Sequence, residues 1–180
     1  MLELWYLVFM AKSFDAIVYC DASVRRGKCG FGVCLLDSNG VLIKKVSRRV
    51  VGYSRNVTAL EGRAVCESIA LAVRHGFSKI RVYTDSKALV QAAATGRGRS
   101  AVVKEFVEII GKLRGRICVS IKWVRGHAGH KWNCMCDYLA GSARWTVPHF
   151  LAFVSDVLRA GKPSERILLP CAPKVLACCL

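Results

Sequence analysis

Two segments of this chain share one design, a strand-like run that ends on a carboxylate: Ile17-Val18-Tyr19-Cys20-Asp21 and Arg81-Val82-Tyr83-Thr84-Asp85. Short runs rich in apolar and aromatic residues and bounded by turn signals read as buried strands, so an acid at the end of each emerges from the rim of a core. If the two strands are parallel neighbours, both carboxylates leave the same sheet edge, where open α/β folds place their sites.

The rest of the chain fits that frame. Strand patterns run over 16–21, 30–36 and 41–50, and the last two are joined by Asp37-Ser38-Asn39-Gly40, whose Asn-Gly marks a hairpin turn. Over 59–75 the period becomes helical, with Val65, Ile69, Ala72 and Val73 as the apolar stripe and Gly76 at the C-terminal cap. A strand over 79–84 follows, then a short helix over 86–94 and a break at Gly96-Arg97-Gly98-Arg99. A helix through Val102, Phe106, Ile109, Ile110 and Leu113, a strand over 117–123 and a helix over 132–144 complete the pattern. The order β-β-β-α-β-α-α-β-α predicts an α/β fold with a mixed five-stranded sheet, three antiparallel strands then two parallel ones, flanked by helices. The expected organisation is an apolar N-terminal extension over 1–14, a domain over 15–144, and a C-terminal amphipathic helix and tail over 145–180, with Phe150, Leu151, Phe153, Val154, Val157 and Leu158 on the apolar face. A chain of 180 residues suits one core.

Charge narrows the partners. Lys and Arg total 28 against 12 Asp and Glu, a formal +16, which calls for a polyanion: nucleic acid first, an acidic membrane surface second. A hydrophobic share of 53% excludes intrinsic disorder. The opening MLELWYLVFM carries Glu3 and lacks a basic leader or a cleavage site, and no stretch reaches the roughly 18 uncharged apolar residues of a membrane span, so no membrane association is expected. Cys20, Cys34, Cys66 and Cys118 sit in apolar runs as free core thiols, the pattern of a reducing compartment such as the cytoplasm or nucleus.

In a chain with few acids, each position counts. Glu61 falls in the first turn of its helix, where a carboxylate favourable to the helix dipole is the plain alternative. Asp137 lies in the last helix, after Gly126-His127-Ala128-Gly129-His130, and alone reads as a solvated helix acid. If they join Asp21 and Asp85, their mutual repulsion is relieved by divalent cations, and oxygen-only ligands suit Mg²⁺ or Mn²⁺ rather than zinc. The spacing of His127, His130, Cys134 and Cys136 imitates a zinc cluster, but Cys134 and Cys136 are two apart on a helix and point in different directions, one to the core and one outward.

The anchors YCDAS (19–23), EGRA (61–64), YTDS (83–86) and WVRGHAGHKWNCMCDYLA (123–140) resemble those of ribonuclease H type 1 domains, including the domains of retroelement reverse transcriptases and their plant relatives. The resemblance spans about 16–144. It implies a ribonuclease H-like fold and an endonuclease that cleaves the RNA strand of RNA:DNA hybrids with two Mg²⁺ ions, Mn²⁺ substituting. The matching positions imply catalytic and metal-holding roles for Asp21, Glu61, Asp85 and Asp137, and proton movement or product release for His127. They imply nucleic-acid contacts at Ser23, Asn56, Thr58, Ser86 and Asn133, the last with loop ordering or a helix cap as its other readings. Arg97 and Arg99, with Lys104, Lys112, Arg114 and Arg116, offer phosphate contacts or a solvated helix face. Ala22 stands where the family often has Gly, Asn56 is followed by Val57 and Thr58 rather than by a second asparagine, and Cys134 stands where an acid often follows the motif Asn. The rival readings are a catalytically silent nucleic-acid-binding module of the same fold and a same-fold nuclease for another duplex. A free protein and a piece of a reverse transcriptase or other polyprotein both fit.

Overall fold

The computed structural model describes residues 14–51 and 56–144; all but the last residue of the extension expected over 1–14, and the helix and tail expected over 145–180, lie outside them. The elements are β1 (Ala16–Arg25), β2 (Lys28–Asp37), β3 (Leu42–Val50), α1 (Val57–Arg74), β4 (Lys79–Thr84), α2 (Lys87–Thr95), α3 (Ala101–Arg114), β5 (Cys118–Trp123) and α4 (Lys131–Ala143). They build one five-stranded sheet in the order β3-β2-β1-β4-β5. The first three strands are antiparallel, and β4 and β5 join parallel to β1, as the element order requires. Among the described residues no helix is long and apolar enough to cross a membrane.

Most bounds move by a residue or two from expectation, and the shifts at the end of β1 and the start of α1 have clear local reasons. β1 does not stop at Asp21 but runs on to Arg25, where Arg26 (φ 51°) and Gly27 (φ 73°) make a two-residue hairpin into β2. Two successive left-handed residues match the twist of antiparallel strands, and Arg26-Gly27 lacks the Asn-Gly signature that the second hairpin has. In that second hairpin Asp37 Oδ1 accepts from the amides of Asn39 and Val41, and Gly40 takes φ 80°. Helix α1 starts at Val57, with Asn56 Oδ1 capping the Ala59 amide, so Glu61 lies in the second turn, beyond the strongest reach of the dipole. Cys118 is exposed at the start of edge strand β5, where Val119 and Ile121 take the core-facing positions; Cys20, Cys34 and Cys66 are buried as expected.

The sheet carries a core on each face. Ala16, Val18 and Cys20 of β1 face the larger one, with Leu60, Val65 and Ile69 of α1, Leu89 of α2 and Phe106 and Ile110 of α3. On the other face Tyr19, Cys34 and Leu36 pack against Cys136 of α4, with Trp132, Met135 and Leu139 around them. Cys136 Sγ donates to Tyr19 O at 3.2 Å, while Cys134 is exposed.

Helix α4 comes so close to the sheet because β2 has glycine where it crosses. A Cβ on Gly30 would lie 2.6 Å from Ala143 Cβ, and one on Gly32 would lie 2.7 Å from Leu139 Cβ, 2.9 Å from Ala140 N and against Cys136 O. Backbone cannot yield to such overlap without moving the helix. Gly32→Ala should therefore destabilise the protein by about 1–3 kcal/mol. Gly111→Ala, in α3 with nothing within 4 Å of the added methyl, should stabilise it by about 0.5–1 kcal/mol. Urea denaturation of both variants checks this; a Gly32→Ala protein as stable as the parent would show that α4 is not seated on this glycine.

Candidate active site

The two carboxylate-bearing strands separate where the site begins. β1 and β4 pair in parallel from Ala16↔Ile80 to Tyr19↔Tyr83 and no further, so Asp21 and Asp85 each stand two residues past the last couple, flanking the opening. Asp21 is thus inside β1 rather than at its end, and it faces Gly32 across the β1–β2 ladder. The same glycine admits α4, and with it Asp137, the neighbour of Cys136.

Other elements fix the remaining groups. Trp123 Nε1 donates to Asp85 O at 3.1 Å, and the Val124 amide donates to Thr84 O at 3.0 Å, tying the end of β5 to Asp85. Gly126 follows, pressed so closely on Asp85 that a Cβ there would meet Oδ2 at 2.5 Å. Glu61 arrives from α1, and Ser86 Oγ donates to its Oε2 at 2.7 Å. His127, at φ 51°, places Nδ1 3.4 Å from Asp137 Oδ2 with its side chain 80% exposed.

The acids feel one another. Asp21, 8% exposed, has its carboxyl pushed up to about 7: burial is the main cause, the charge of Asp85 adds to it, and Asp137 and Glu61 contribute. The Ala22 amide, donating to Asp21 Oδ1 at 2.7 Å, pulls the other way. Glu61 is raised by burial and by Asp85 against the Ser86 hydroxyl. Asp85 is raised by burial and by Asp137, opposed by a backbone hydrogen bond and by His127. Burial first, and neighbouring carboxylates second, thus disfavour ionisation of Asp21, Glu61 and Asp85, and a cation beside them relieves both. Among the described residues no three His, Cys, Asp or Glu side chains already close into a metal cage, and that includes the His127, His130, Cys134 and Cys136 spacing. The donor chemistry nevertheless fits a hard divalent ion: oxygen ligands only, from Asp21, Glu61, Asp85 and Asp137.

The residues expected to touch nucleic acid divide. Arg97 and Arg99 are exposed between α2 and α3, and Thr58 is half-buried in the first turn of α1. Ser23 is half-buried with its hydroxyl against the Arg144 guanidinium. Asn56 is exposed, with its side-chain oxygen spent on the α1 cap. Ser86 and Asn133 are turned inward, 7% and 2% exposed: Ser86 orients Glu61, and Asn133 is enclosed in the first turn of α4. The anchor motifs put these two on the site without showing which way they face. Sequence reasoning passed over Trp123 and Gly126 as site residues, although both flank Asp85 and belong to the longest anchor.

An antiparallel triplet extended by parallel strands, with acids where β1 and β4 part, defines a ribonuclease H-like α/β fold. Ribonuclease H1 of Halobacterium salinarum shares it, with a TM-score of 0.61 at 22% identity over 71% of this chain and 96% of that one. LC11 ribonuclease H1, in a crystal structure with an RNA/DNA hybrid, shares it with a TM-score of 0.59 at 18% identity over 71% and 95%. The RNase H family model matches residues 14–144, and a ribonuclease H of Pelobacter propionicus is 34% identical over 140 residues, covering 70% of this chain and 82% of that protein. The chain therefore belongs to the RNase H family and is an enzyme of the ribonuclease H class.

The raised Asp21 carboxyl predicts how the metal-free protein responds to pH. Folded, Asp21 keeps its proton to about pH 7; unfolded, it loses it near its ordinary value of about 4. Between those values the folded state binds the extra proton, so stability falls as pH rises and stays low above 7. Asp21→Asn should lessen that decline, leaving the part owed to Glu61 and Asp85, and be the more stable protein at pH 8, by roughly 2 kcal/mol. Urea denaturation in chelator at pH 5, 6 and 8 measures it, and parallel pH profiles for the two proteins would contradict it.

Proposed function

We propose that this protein is a Mg²⁺- or Mn²⁺-dependent endonuclease that hydrolyses the RNA strand of RNA:DNA hybrids, with two divalent ions held by Asp21, Glu61, Asp85 and Asp137. The observation that carries the reading is the gathering of carboxylates at the opening between β1 and β4, where burial and neighbouring charge raise Asp21, Glu61 and Asp85. A phosphate-binding surface gains nothing from clustered carboxylates unless cations sit between them. The likeness to a ribonuclease H and to the hybrid-bound LC11 enzyme supports the substrate, and the +16 charge supports a polyanion.

When bound, such ions activate the attacking water and stabilise the departing oxygen of the phosphodiester. The chain's own residues do the holding. Ser86 keeps Glu61 turned to the opening, and Trp123 and Gly126 fix Asp85 from the β5 side. Asp137 engages Nδ1 of His127, which leaves Nε2 for a proton passing between substrate and solvent; the left-handed loop carries that ring at the surface. Arg97 and Arg99 supply phosphate contacts that carry no sequence information. The products are a 5′-phosphate and a 3′-hydroxyl. Buried free thiols suit a reducing compartment such as the cytoplasm or nucleus.

Binding and chemistry separate in the test. In Ca²⁺ the protein should bind hybrid, duplex DNA and duplex RNA alike, with a salt slope of roughly −0.9 per neutralised phosphate. In Mg²⁺ it should cut RNA only in the hybrid. Binding with no cleavage in Mg²⁺ or Mn²⁺ would leave the silent module standing.

Substitutions at the site should divide the acids from the histidine. Asp85→Asn should abolish turnover while the protein stays folded. His127→Ala, which removes a proton carrier and no ligand, should slow turnover by about 10²-fold. Steady-state hybrid cleavage distinguishes them; near-normal turnover by Asp85→Asn would remove that residue from the metal site, and an unchanged rate for His127→Ala would make it an ordinary surface histidine.

A further inference from the structure

The loop between β5 and α4 ends on a second histidine that has no part in the chemistry above. His130 occupies the N-terminal cap of α4, yet its side chain makes no capping hydrogen bond. Its imidazole lies instead against the ring of Tyr19, with centroids 5.1 Å apart and planes tilted by 34°. Tyr19 in turn stacks on Tyr83, at 4.8 Å and 13°. These tyrosines are the last paired couple of β1 and β4, so the three rings form a column at the base of the opening that Asp21 and Asp85 flank.

The rest of the loop explains what such a column is for. Its entry is held by backbone: the Val124 amide on Thr84 O, then Gly126 against Asp85. Between entry and exit, His127 takes φ 51° and Gly129 φ 75°. For a residue with a Cβ that conformation is costly and persists only where the surroundings impose it. The exit is imposed at His130, whose carbonyl accepts from the Cys134 amide to start α4 while its ring rests on Tyr19. Packing of aromatic rings at this separation is directional as well as apolar, so it fixes orientation where a flexible polar side chain would not.

We propose that His130 is a positioning residue: docked on the Tyr19–Tyr83 stack, it fixes the exit of the loop and thereby holds His127 beside Asp137. The inference rests on the ribonuclease reading and on the part given to His127 in it. His130 acts through His127 and touches no reacting atom.

A double-mutant cycle in hybrid cleavage tests this, using the parent, His130→Ala, His127→Ala and the double variant, with His130→Phe alongside and the folded fraction of each followed by circular dichroism. His130→Ala should lower kcat about three- to tenfold, the size of one lost aromatic contact, with KM within about twofold of the parent. In the His127→Ala background the same change should cost nothing further, because the group it positions is gone. His130→Phe, which keeps an aromatic ring and loses the ring nitrogens, should recover most of the rate. Losses that multiply in the double variant, an effect on KM alone, or His130→Phe as slow as His130→Ala would overturn the inference. An inactive parent would overturn the ribonuclease reading instead, whereas an active parent with an unmoved His130→Ala rate overturns this inference alone.

Discussion

Carboxylates gathered at one sheet edge, with Asp21 taken almost wholly out of water, are the constraint around which this structure is arranged. Asp21 is almost wholly buried, and Asp85, Asp137 and Glu61 all act on it. Nothing in their mutual electrostatics favours the arrangement, so the fold must enforce it by packing. The enforcement comes from five elements: β1 and β4 by their parallel register, β5 through Trp123 and Gly126, α1 through Glu61 and its Ser86 partner, and α4 by its seat on glycines. The two-sided core is what makes so many anchors possible, because each face of the sheet contributes at least one acid-bearing helix.

Gly32 shows how closely the framework and the site are joined. It is the ladder partner of Asp21 and also the point where α4 backbone meets the sheet. One missing side chain therefore sets the distance between the strand that carries Asp21 and the helix that carries Asp137. Gly126 does the same for the loop and Asp85. At both places backbone is brought against a site residue or its carrier, and only glycine allows that approach. Such precision costs stability, the usual relation between a strained site and the scaffold that holds it.

Much of the fold was legible because its periods are clean. The change from strand to helix pattern near 57–60, the Asn39-Gly40 turn and Gly76 at the end of α1 all follow local rules, and the strand order follows from them. What escaped were features whose cause is local but weakly marked, or not local at all. Val57 and Thr58 are β-branched and poor helix formers, which hid the true start of α1 at the Asn56 cap and moved Glu61 to the second turn. Arg26-Gly27 turns a hairpin without the usual asparagine. The four acids stood out as strand ends and motif anchors, but the parting of β1 and β4 beyond Tyr19↔Tyr83, which makes them a site, is a property of the assembled sheet. The inward turn of Ser86 and Asn133 is likewise tertiary: the anchors locate them, and only packing decides their direction.

Carboxylates gathered and partly buried in this way call for divalent cations between them. Calorimetric titration of the parent protein with Mg²⁺ near pH 7, repeated in buffers of different ionisation enthalpy, tests it most directly. Because the Asp21 carboxyl is pushed up to about 7, cation binding should expel a fraction of a proton per protein, a release that fades toward pH 8.5 and is absent in Asp21→Asn. Saturable Mg²⁺ binding with that proton release is the result the account predicts; no binding, or binding with no proton release near pH 7, would contradict it.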